Sequence, residues 1–245
     1  MDLMGRIIRK IQWLQNKRVQ KKTFKMEFAE FASKYNRDFE LKFEEAVPYL
    51  NDKTTTTNFD AHYIYHPAWA ARIVKIVNPA FHVDISSTLH FCTLLSAFIP
   101  VHFYDYRPAL LNLNDLKSLK ADLTDLFFES ESIECISCMH TVEHIGLGRY
   151  GDKIDADGDL KAISELKRVV KPGGTLLFVV PVGKPKIIFN AHRIYSAAAI
   201  VQLYAGFRLK SFSLVTDDNQ FIQNAAIEQA ENEKYGCGCF WFIKE

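Results

Sequence analysis

From residue 80 onward short β-rich runs alternate with helical patterns, and that alternation narrows the fold more than any other feature of the chain. The β-rich runs are AFHVDIS (80–86), VHFYD (101–105), LKADL (119–123), SIECISCM (132–139) and the almost wholly apolar TLLFVVPV (175–182), followed by RLKSFSLV and GCGCFWFIK. Helical periodicity marks 66–77, with Pro67 at its start, then 89–98, 110–116, 158–170 and 194–205. Pro172-Gly173-Gly174 closes the helix over 158–170. Strands that alternate with helices predict a doubly wound, mostly parallel sheet with helices on both faces. The 245 residues, 48% of them hydrophobic, suffice for one such domain with an extension.

The extension is residues 1–58. Eight Lys/Arg (Arg6, Arg9, Lys10, Lys17, Arg18, Lys21, Lys22, Lys25) face a single acid, Asp2, in the first 25 positions. Leu3, Ile7, Ile11 and Leu14 recur at helical spacing, and Phe24, Phe28, Phe31 and Tyr35 carry the period on toward residue 45. Pro48 and the polar run NDKTTTTN then break it, so the α/β domain is expected over 59–245. A basic amphipathic helix can make peripheral contact with an anionic membrane or a partner. It can equally be a solvated helix laying a narrow apolar stripe on its own domain. The net charge of +1 excludes a globally basic nucleic-acid binder, and no nucleic-acid partner is expected. No apolar run reaches the ~20 residues that span a bilayer. With no export leader evident, the expected location is cytoplasmic, at most at the inner face of the membrane. The oligomeric state stays open.

Five cysteines in such a chain do not suggest structural disulfides. Cys135-x-x-Cys138 and Cys237-x-Cys239 invite a four-thiolate zinc site. Both pairs fall in predicted strands, however, where Cys135 and Cys138 point to opposite faces, and no metal is expected.

In a doubly wound sheet the ligand lies beyond the carboxyl ends of the strands. Those ends carry Asp84 and a Ser86-Ser87-Thr88 loop, then Asp105, Asp122, His140 with Glu143 and His144, and finally Asn190, His192 and Arg193. Asp105 follows Asp84 by about 20 residues, the interval at which nucleotide-binding sheets place a ribose-binding acid. Asp122, at the next strand end, is within reach of an adenine amino group. Alternatively, Asp105 starts a turn before Pro108 and Asp122 caps the turn DLTDL.

HVDIS, FYDYRP, KADLTDLFFESESIECISCMHTVEHI and ELKRVVKPGGTLLFVVPVG resemble, in order and spacing, the motifs of class I S-adenosylmethionine-dependent methyltransferases. HYIYHPAWAAR, the stretch from CMHTVEHI to ELKRV, and FNAHRIYS are similar to a small methyltransferase-like family of uncharacterised function; the likeness covers roughly residues 59–216. It implies a Rossmann-like methyltransferase fold of seven strands, with one antiparallel edge strand in the final pair. It implies S-adenosylmethionine as cofactor, held by Asp84, Ser86, Asp105, Asp122 and His140. It also implies methyl transfer to an oxygen of a small molecule or glycan, in cell-surface polysaccharide biosynthesis. The first loop departs from the family: Ser86, Thr88 and His90 stand where glycines usually alternate. Glycine permits positive φ and close approach, hydroxyls can bond a ligand instead, and a His at the third position should protrude into the cofactor space. A non-catalytic nucleotide- or partner-binding module is therefore the competing expectation.

HTVEHIGLGRYGDKIDADGD (140–159) is the most polar block, broken by Gly146, Gly148 and Gly151, and reads as a loop over the carboxyl edge. Three readings compete for it. His144 or His192, aided by Glu143, is a general base. Or His140, His144 and an acid hold a metal on one helical face. Or the loop is structural. Arg149, Tyr150, Asn190 and Arg193 are the candidate acceptor-binding residues, Arg193 as an anion-holding fork. DADGDL fails the EF-hand template and is read as a cap for the helix near Gly158. HYIYHPAW (62–69) offers His62, Tyr63, Tyr65, His66 and Trp69 as an acceptor wall, a lid, or simple packing.

Overall fold

The computed structural model describes residues 3–245, without the side chains of residues 3, 4, 6–8 and 11. Most of the predicted apolar stripe, Leu3, Ile7 and Ile11, lies outside the described side chains. The described chain divides into two units between Asn58 and Phe59.

The first unit is built on helix α1 (Leu3–Lys34). The helix ends well short of residue 45, where Asn36 and Asp38, whose short side chains compete with helical backbone bonds, introduce a bend. A 3₁₀ turn at Phe43–Glu45 brings the Phe43 ring to 5.0 Å from Phe28, and Gln20 Nε2 donates to the Leu50 carbonyl at 3.1 Å. Among the described residues of this unit none is buried. Among the described residues of the chain, no helix is long and apolar enough to cross a membrane.

In the second unit, α2 (Ala61–Val77) precedes β1 (His82–Ile85), α3 (Leu89–Leu95), β2 (Val101–Asp105), β3 (Leu116–Lys120) and β4 (Ile133–Met139). Then come α4 (Gly158–Val169), β5 (Val170–Val182), the hairpin β6 (Lys186–Ile188) and β7 (His192–Ile194), α5 (Ala197–Leu203), β8 (Phe207–Val215), β9 (Phe221–Ile222) and β10 (Gly236–Lys244). The main sheet has eight strands in the order β3-β2-β1-β4-β5-β10-β8-β9. Strands β1 to β5 are parallel, while β10 runs antiparallel to both β5 and β8. Strand β10 is thus internal rather than at the edge, and β9 pairs antiparallel with β8 beyond it. The edge beyond it is the two-residue β9, short enough to discourage pairing with another chain.

The wholly apolar strand reads as it packs. Leu176, Phe178, Val180 and Val182 enter one core layer with Ala162, Ile163 and Leu166 of α4 and Ile200 of α5. Leu177 and Val179 enter the other with Trp69 and Ile73 of α2 and Phe91 and Leu95 of α3. With side chains alternating across the pleat and helices on both sides, both faces must be apolar.

Four local expectations change. Helix α2 starts at Ala61, because the Asp60 carboxylate accepts from Tyr63 N (3.3 Å) and caps it there, placing Pro67 inside the helix. LLNLNDL is not helical: Asp115 takes a left-handed backbone (φ 58°) and Leu113 bridges to Leu116 at the start of β3. Pro172-Gly173-Gly174 does not close a helix but lies within β5, where the register to β4 slips between Ile133 and Cys135 and Gly173 sits at φ 75°. The helix expected from residue 194 starts later, and FNAHRIYS is mostly hairpin. Asn190 (φ 62°) turns the β6–β7 hairpin, and α5 begins only after Ser196, whose hydroxyl accepts from Ala199 N (3.4 Å).

Candidate functional site

The carboxyl ends of β1 to β4 surround a cavity of about 360 Å³. Ser86, Asp105, Asp122, His140, His144 and Tyr150 line it, together with Tyr106, Arg107, Thr124, Thr141, Asp152, Lys153 and Asp155. Six of the residues singled out from sequence therefore meet in one place.

The glycine-free first loop is resolved by geometry. Ser86 itself takes the left-handed conformation (φ 56°) that glycine would adopt without strain, at a cost of about 1–2 kcal/mol. Its Oγ donates to the Tyr104 carbonyl (3.3 Å) and its own carbonyl accepts the Thr141 hydroxyl (3.0 Å). Ser87 Oγ accepts from Met139 N (3.0 Å), and Thr88 Oγ1 caps α3 through Phe91 N (3.3 Å). The hydroxyls tie neighbouring strand ends together instead of reaching for a ligand. His90 does not intrude: it lies on an apolar groove between α2 and α3, away from the cavity.

Asp84 does not face the cavity. It is fully buried, accepts from Ser87 N (3.0 Å) and from the Ser137 hydroxyl, and burial pushes its carboxyl up to about 6. Ser137 Oγ also meets His82 Nε2 at 2.8 Å, and desolvation lowers His82 to about 3, so that ring is neutral. This buried chain braces β1 against β4. Asp105 and Asp122 remain on the cavity wall. One Asp105 oxygen accepts from Arg107 N (2.6 Å), and one Asp122 oxygen accepts from Thr124 N (2.9 Å) and Oγ1 (2.7 Å). Among the described residues nothing binds the second oxygen of either, so both the turn-forming and the ligand-facing readings fit the same side chain.

The central block is a loop over the carboxyl edge, as its glycines imply, but its first polar residues are shut from solvent while Arg149, Tyr150, Lys153 and Asp157 are exposed. His140, Glu143 and His144 are all buried. Asp152 organises the loop by accepting from Gly146 N (2.8 Å), Gly148 N (3.2 Å) and Tyr150 N (3.1 Å). Burial works to raise its carboxyl, but these amide donors prevail and hold it below the usual range. Gly146 (φ 81°) is required, since a Cβ there would lie 2.0 Å from the Asp155 carbonyl oxygen. The predicted cap of α4 differs in detail: Asp157 makes no side-chain cap bond, and Asp155 Oδ1 instead accepts from Asp157 N (3.0 Å).

Two acceptor-binding assignments are corrected by these bonds. Arg193 is buried and spends its guanidinium on the loop, donating to the carbonyls of Ile145 (2.7 Å) and Ala156 (3.2 Å) and pairing with Asp159 at 3.5 Å. It fastens the loop rather than forking an anion. Asn190 turns its hairpin and donates to the Leu147 carbonyl (3.4 Å). Arg149 donates to the Ala191 carbonyl (3.2 Å) and stands over the Tyr150 ring, which Arg107 covers as well (4.7 Å to its centroid).

His144 is placed differently from His192. Its Nδ1 lies 2.6 Å from the Ala191 carbonyl, which can only accept, so Nδ1 carries the proton and Nε2 presents a lone pair. The 3.4 Å approach of Arg149 Nη1 to the same Nδ1 follows from both groups sharing that carbonyl. His192 is absent from the cavity wall and packs on Tyr235 (centroids 4.8 Å). Desolvation and neighbouring His144 lower its pKa. Glu143 lies between His140 (Oε1 to Nδ1 2.9 Å) and His144 (3.7 Å to Nε2).

Sequence reasoning did not foresee that α2 and β10 complete a second cluster behind His140. The His62, Tyr63 and His66 rings lie 5.4, 5.3 and 5.1 Å from the His140 ring, and His62 also stacks on Tyr235 (5.1 Å). Cys237 joins them from β10. The histidines of HYIYHPAW gave a signal; nothing local in GCGC pointed toward them. Trp69 and Tyr65 are packing residues, Trp69 buried and Tyr65 stacked on Phe221 (5.2 Å). The four-thiolate reading fails geometrically: Cys135 and Cys138 enter opposite core layers. The His140–His144 pairing at helical spacing fails too, since 140–144 is not an α-helix, and His144 is not among the described groups whose ligand atoms converge.

Compared with known proteins, residues 116–237 match the sequence profile of a family described as a Caenorhabditis protein of unknown function, DUF268. None of the curated proteins matches the chain in sequence. Among solved structures, the YcgJ protein of Bacillus subtilis is similar with a TM-score of 0.52 at 11% identity, over 74% of this chain and 98% of that one. A TehB-like S-adenosylmethionine-dependent methyltransferase of Corynebacterium glutamicum is similar with a TM-score of 0.50 at 14% identity, over 91% of this chain and 97% of that one. The [4+2]-cyclase SpnF is similar with a TM-score of 0.50 at 13% identity, over 71% of this chain and 81% of that one. The fold is that of class I S-adenosylmethionine-dependent methyltransferases, with a mixed eight-stranded sheet.

Proposed function

We propose that the chain is an S-adenosylmethionine-dependent methyltransferase acting on an oxygen of a small molecule or glycan. Fold alone does not carry this, because the same architecture serves a protein named as a cyclase. The observation that carries it is the cavity at the carboxyl ends of β1 to β4, with Asp105 and Asp122 on consecutive strand ends. That arrangement suits a nucleoside: Asp105 for the ribose hydroxyls, Asp122 for the adenine amino group. Ser86 supplies the turn that a glycine would otherwise make.

The bound cofactor supplies an electrophilic methyl group on a sulfonium. An attacking hydroxyl forms the new C–O bond as the C–S bond breaks, and the bonding pair leaves with sulfur. The chain must align the two partners and accept the hydroxyl proton. His144 Nε2, with its lone pair free and its ring fixed through Ala191, is the group for the second task. Tyr150, whose edge meets the His144 ring (centroids 5.6 Å), offers an aromatic wall for a small molecule or sugar. A role in polysaccharide biosynthesis fits a glycan acceptor and is part of the same reading.

Calorimetric titration with S-adenosylmethionine and with its demethylated product is the test. The expected result is saturable binding of both at one site per chain. Absence of heat and of thermal protection at millimolar concentration would leave a non-catalytic module in its place.

A further inference from the structure

We infer that His62, His140 and Cys237 form a binding site for a thiophilic divalent cation of the zinc type, with Glu143 orienting His140. One ligand atom from each of the three lies within 4.8 Å of the other two. The three come from α2, the end of β4 and β10, so the set exists only in the folded domain.

The hydrogen bonds around the cluster leave lone pairs without protons to share. The Glu143 carboxylate takes His140 Nδ1 at 2.9 Å, which leaves His140 Nε2 as the outward-facing atom. His66 Nδ1 is held by the His62 carbonyl at 2.6 Å, which likewise leaves Nε2 bare. His140 Nε2, His66 Nε2, His192 Nε2 and Glu143 Oε2 are all buried and have no hydrogen-bond partner. Buried nitrogen and oxygen atoms are normally paired, and an orphan costs about 1–3 kcal/mol. Of these orphans His140 Nε2 is the one that belongs to the ligand set, where the Cys237 thiol has, among the described residues, only the weak 3.9 Å contact with Cys239 Sγ, and an ion would give that nitrogen its partner. The His140 side chain is 2% exposed and that of Glu143 1%, so bulk solvent does not supply it.

The donor chemistry selects the ion. Two imidazoles and a thiolate suit zinc better than magnesium or calcium, which prefer oxygen. A carboxylate bound to the far nitrogen of a ligating histidine fixes its tautomer and raises its basicity. The His62 ring is held by stacking on Tyr235 (centroids 5.1 Å). Tetrahedral bond lengths of about 2.0 Å to nitrogen and 2.3 Å to sulfur require ligand atoms roughly 3.3–3.6 Å apart. The ion would therefore draw the set inward, and the cysteine thiol would lose its proton on ligation. Three protein ligands leave a fourth position for water or a ligand.

The test uses the full chain, reduced, stripped of metal and titrated with Co²⁺ and then Zn²⁺ without cofactor. The expected result is one ion per chain, with the intense thiolate-to-cobalt charge-transfer band and tetrahedral d–d bands, both displaced by zinc. Cys237→Ser should lose the charge-transfer band, while Cys92→Ser, on a buried thiol outside the cluster, should keep it. Glu143→Gln should weaken zinc by about 10–100-fold. His62→Ala, at a half-buried helix position, probes the same site should Cys237→Ser fail to fold. No charge-transfer band in the wild type, or an unchanged band in either folded ligand variant, would overturn the site. Metal uptake and cofactor binding are read separately, so one can fail while the other stands.

Discussion

On one side of His140 lies the cavity, and on the other the histidine cluster. The cavity wall consists of groups whose internal bonds are largely made: Ser86 through Tyr104 and Thr141, Asp152 through three amides, His144 through Ala191. What it leaves free are single atoms on its surface, the second carboxylate oxygens of Asp105 and Asp122 and Nε2 of His144. The cluster is the reverse: His66, His140 and Glu143 are buried, and with His192 they leave four side-chain atoms unpartnered among the described residues. A pre-formed site for a polar organic ligand needs a satisfied frame and a few exposed valences. The proposed ion would supply the partner that His140 Nε2 lacks. The contrast teaches that hydrogen-bond accounting distinguishes two halves of one sheet edge, and it is the ground on which the two proposals differ.

The sharpest way to break this contrast is at His144. If the cavity side carries the proton transfer, His144→Ala should lower turnover by ~10²–10⁴-fold while cofactor affinity holds. His192→Ala, outside the wall, should fall far less. The assay is release of the demethylated cofactor product with a panel of hydroxyl acceptors, and full activity in His144→Ala would return that side chain to a structural role.

Next in size is Arg193, which the geometry moves from acceptor binding to loop support. Removing it leaves buried Asp159, among the described residues, with only the Tyr195 hydroxyl (2.9 Å) and takes the donor from the carbonyls of Ile145 and Ala156, and Arg193→Ala should cost ~3–5 kcal/mol of folding stability. Denaturant midpoints measure it. A stable variant with only a raised acceptor KM would restore the anion-fork reading.

Asp105→Ala should weaken cofactor binding by ~1.5–3 kcal/mol, the range for a hydrogen bond to a charged group, and leave metal uptake by the cluster unchanged. Calorimetry on the variant separates the two regions directly; equal losses in both would merge them into one site.

The last test concerns Asp84, buried between β1 and β4. Its carboxyl is raised by burial from 3.8 to about 6 in the folded chain, so folding favours the protonated form. The stability it contributes is complete below pH 3.8 and is lost as pH rises through about 6. Asp84→Asn lacks this titration. Its stability relative to wild type should rise between roughly pH 4 and 6.5 and level off above. Thermal melts across that window check it, and a difference that stays flat would mean that Asp84 is not desolvated.

Much of this was legible in the chain. The alternation of strands and helices predicted the parallel sheet because each pattern has its own period and each crossover needs a helix. The Asp105 and Asp122 positions followed from strand ends, and the loop character of 140–159 from its glycines. Less legible were contacts made by residues distant in sequence. Asp84 reads as a ligand-facing acid until Ser137, on the neighbouring strand, supplies a buried donor. Arg193 reads as a free cation until the loop carbonyls surround it.

The sequence by itself determined the layers, the apolar strand buried on both faces and the edge at which polar residues collect, because periodicity and turn chemistry act over a few residues. Tertiary structure alone decided that β10 inserts between β5 and β8, and with it that Cys237 stands beside His62 and His140. That outcome depends on which strands pair, and pairing is settled by the whole packed sheet. It also decided that Ser86 bends as glycine would, since the strained φ is held by bonds from Tyr104 and Thr141 that no local pattern encodes.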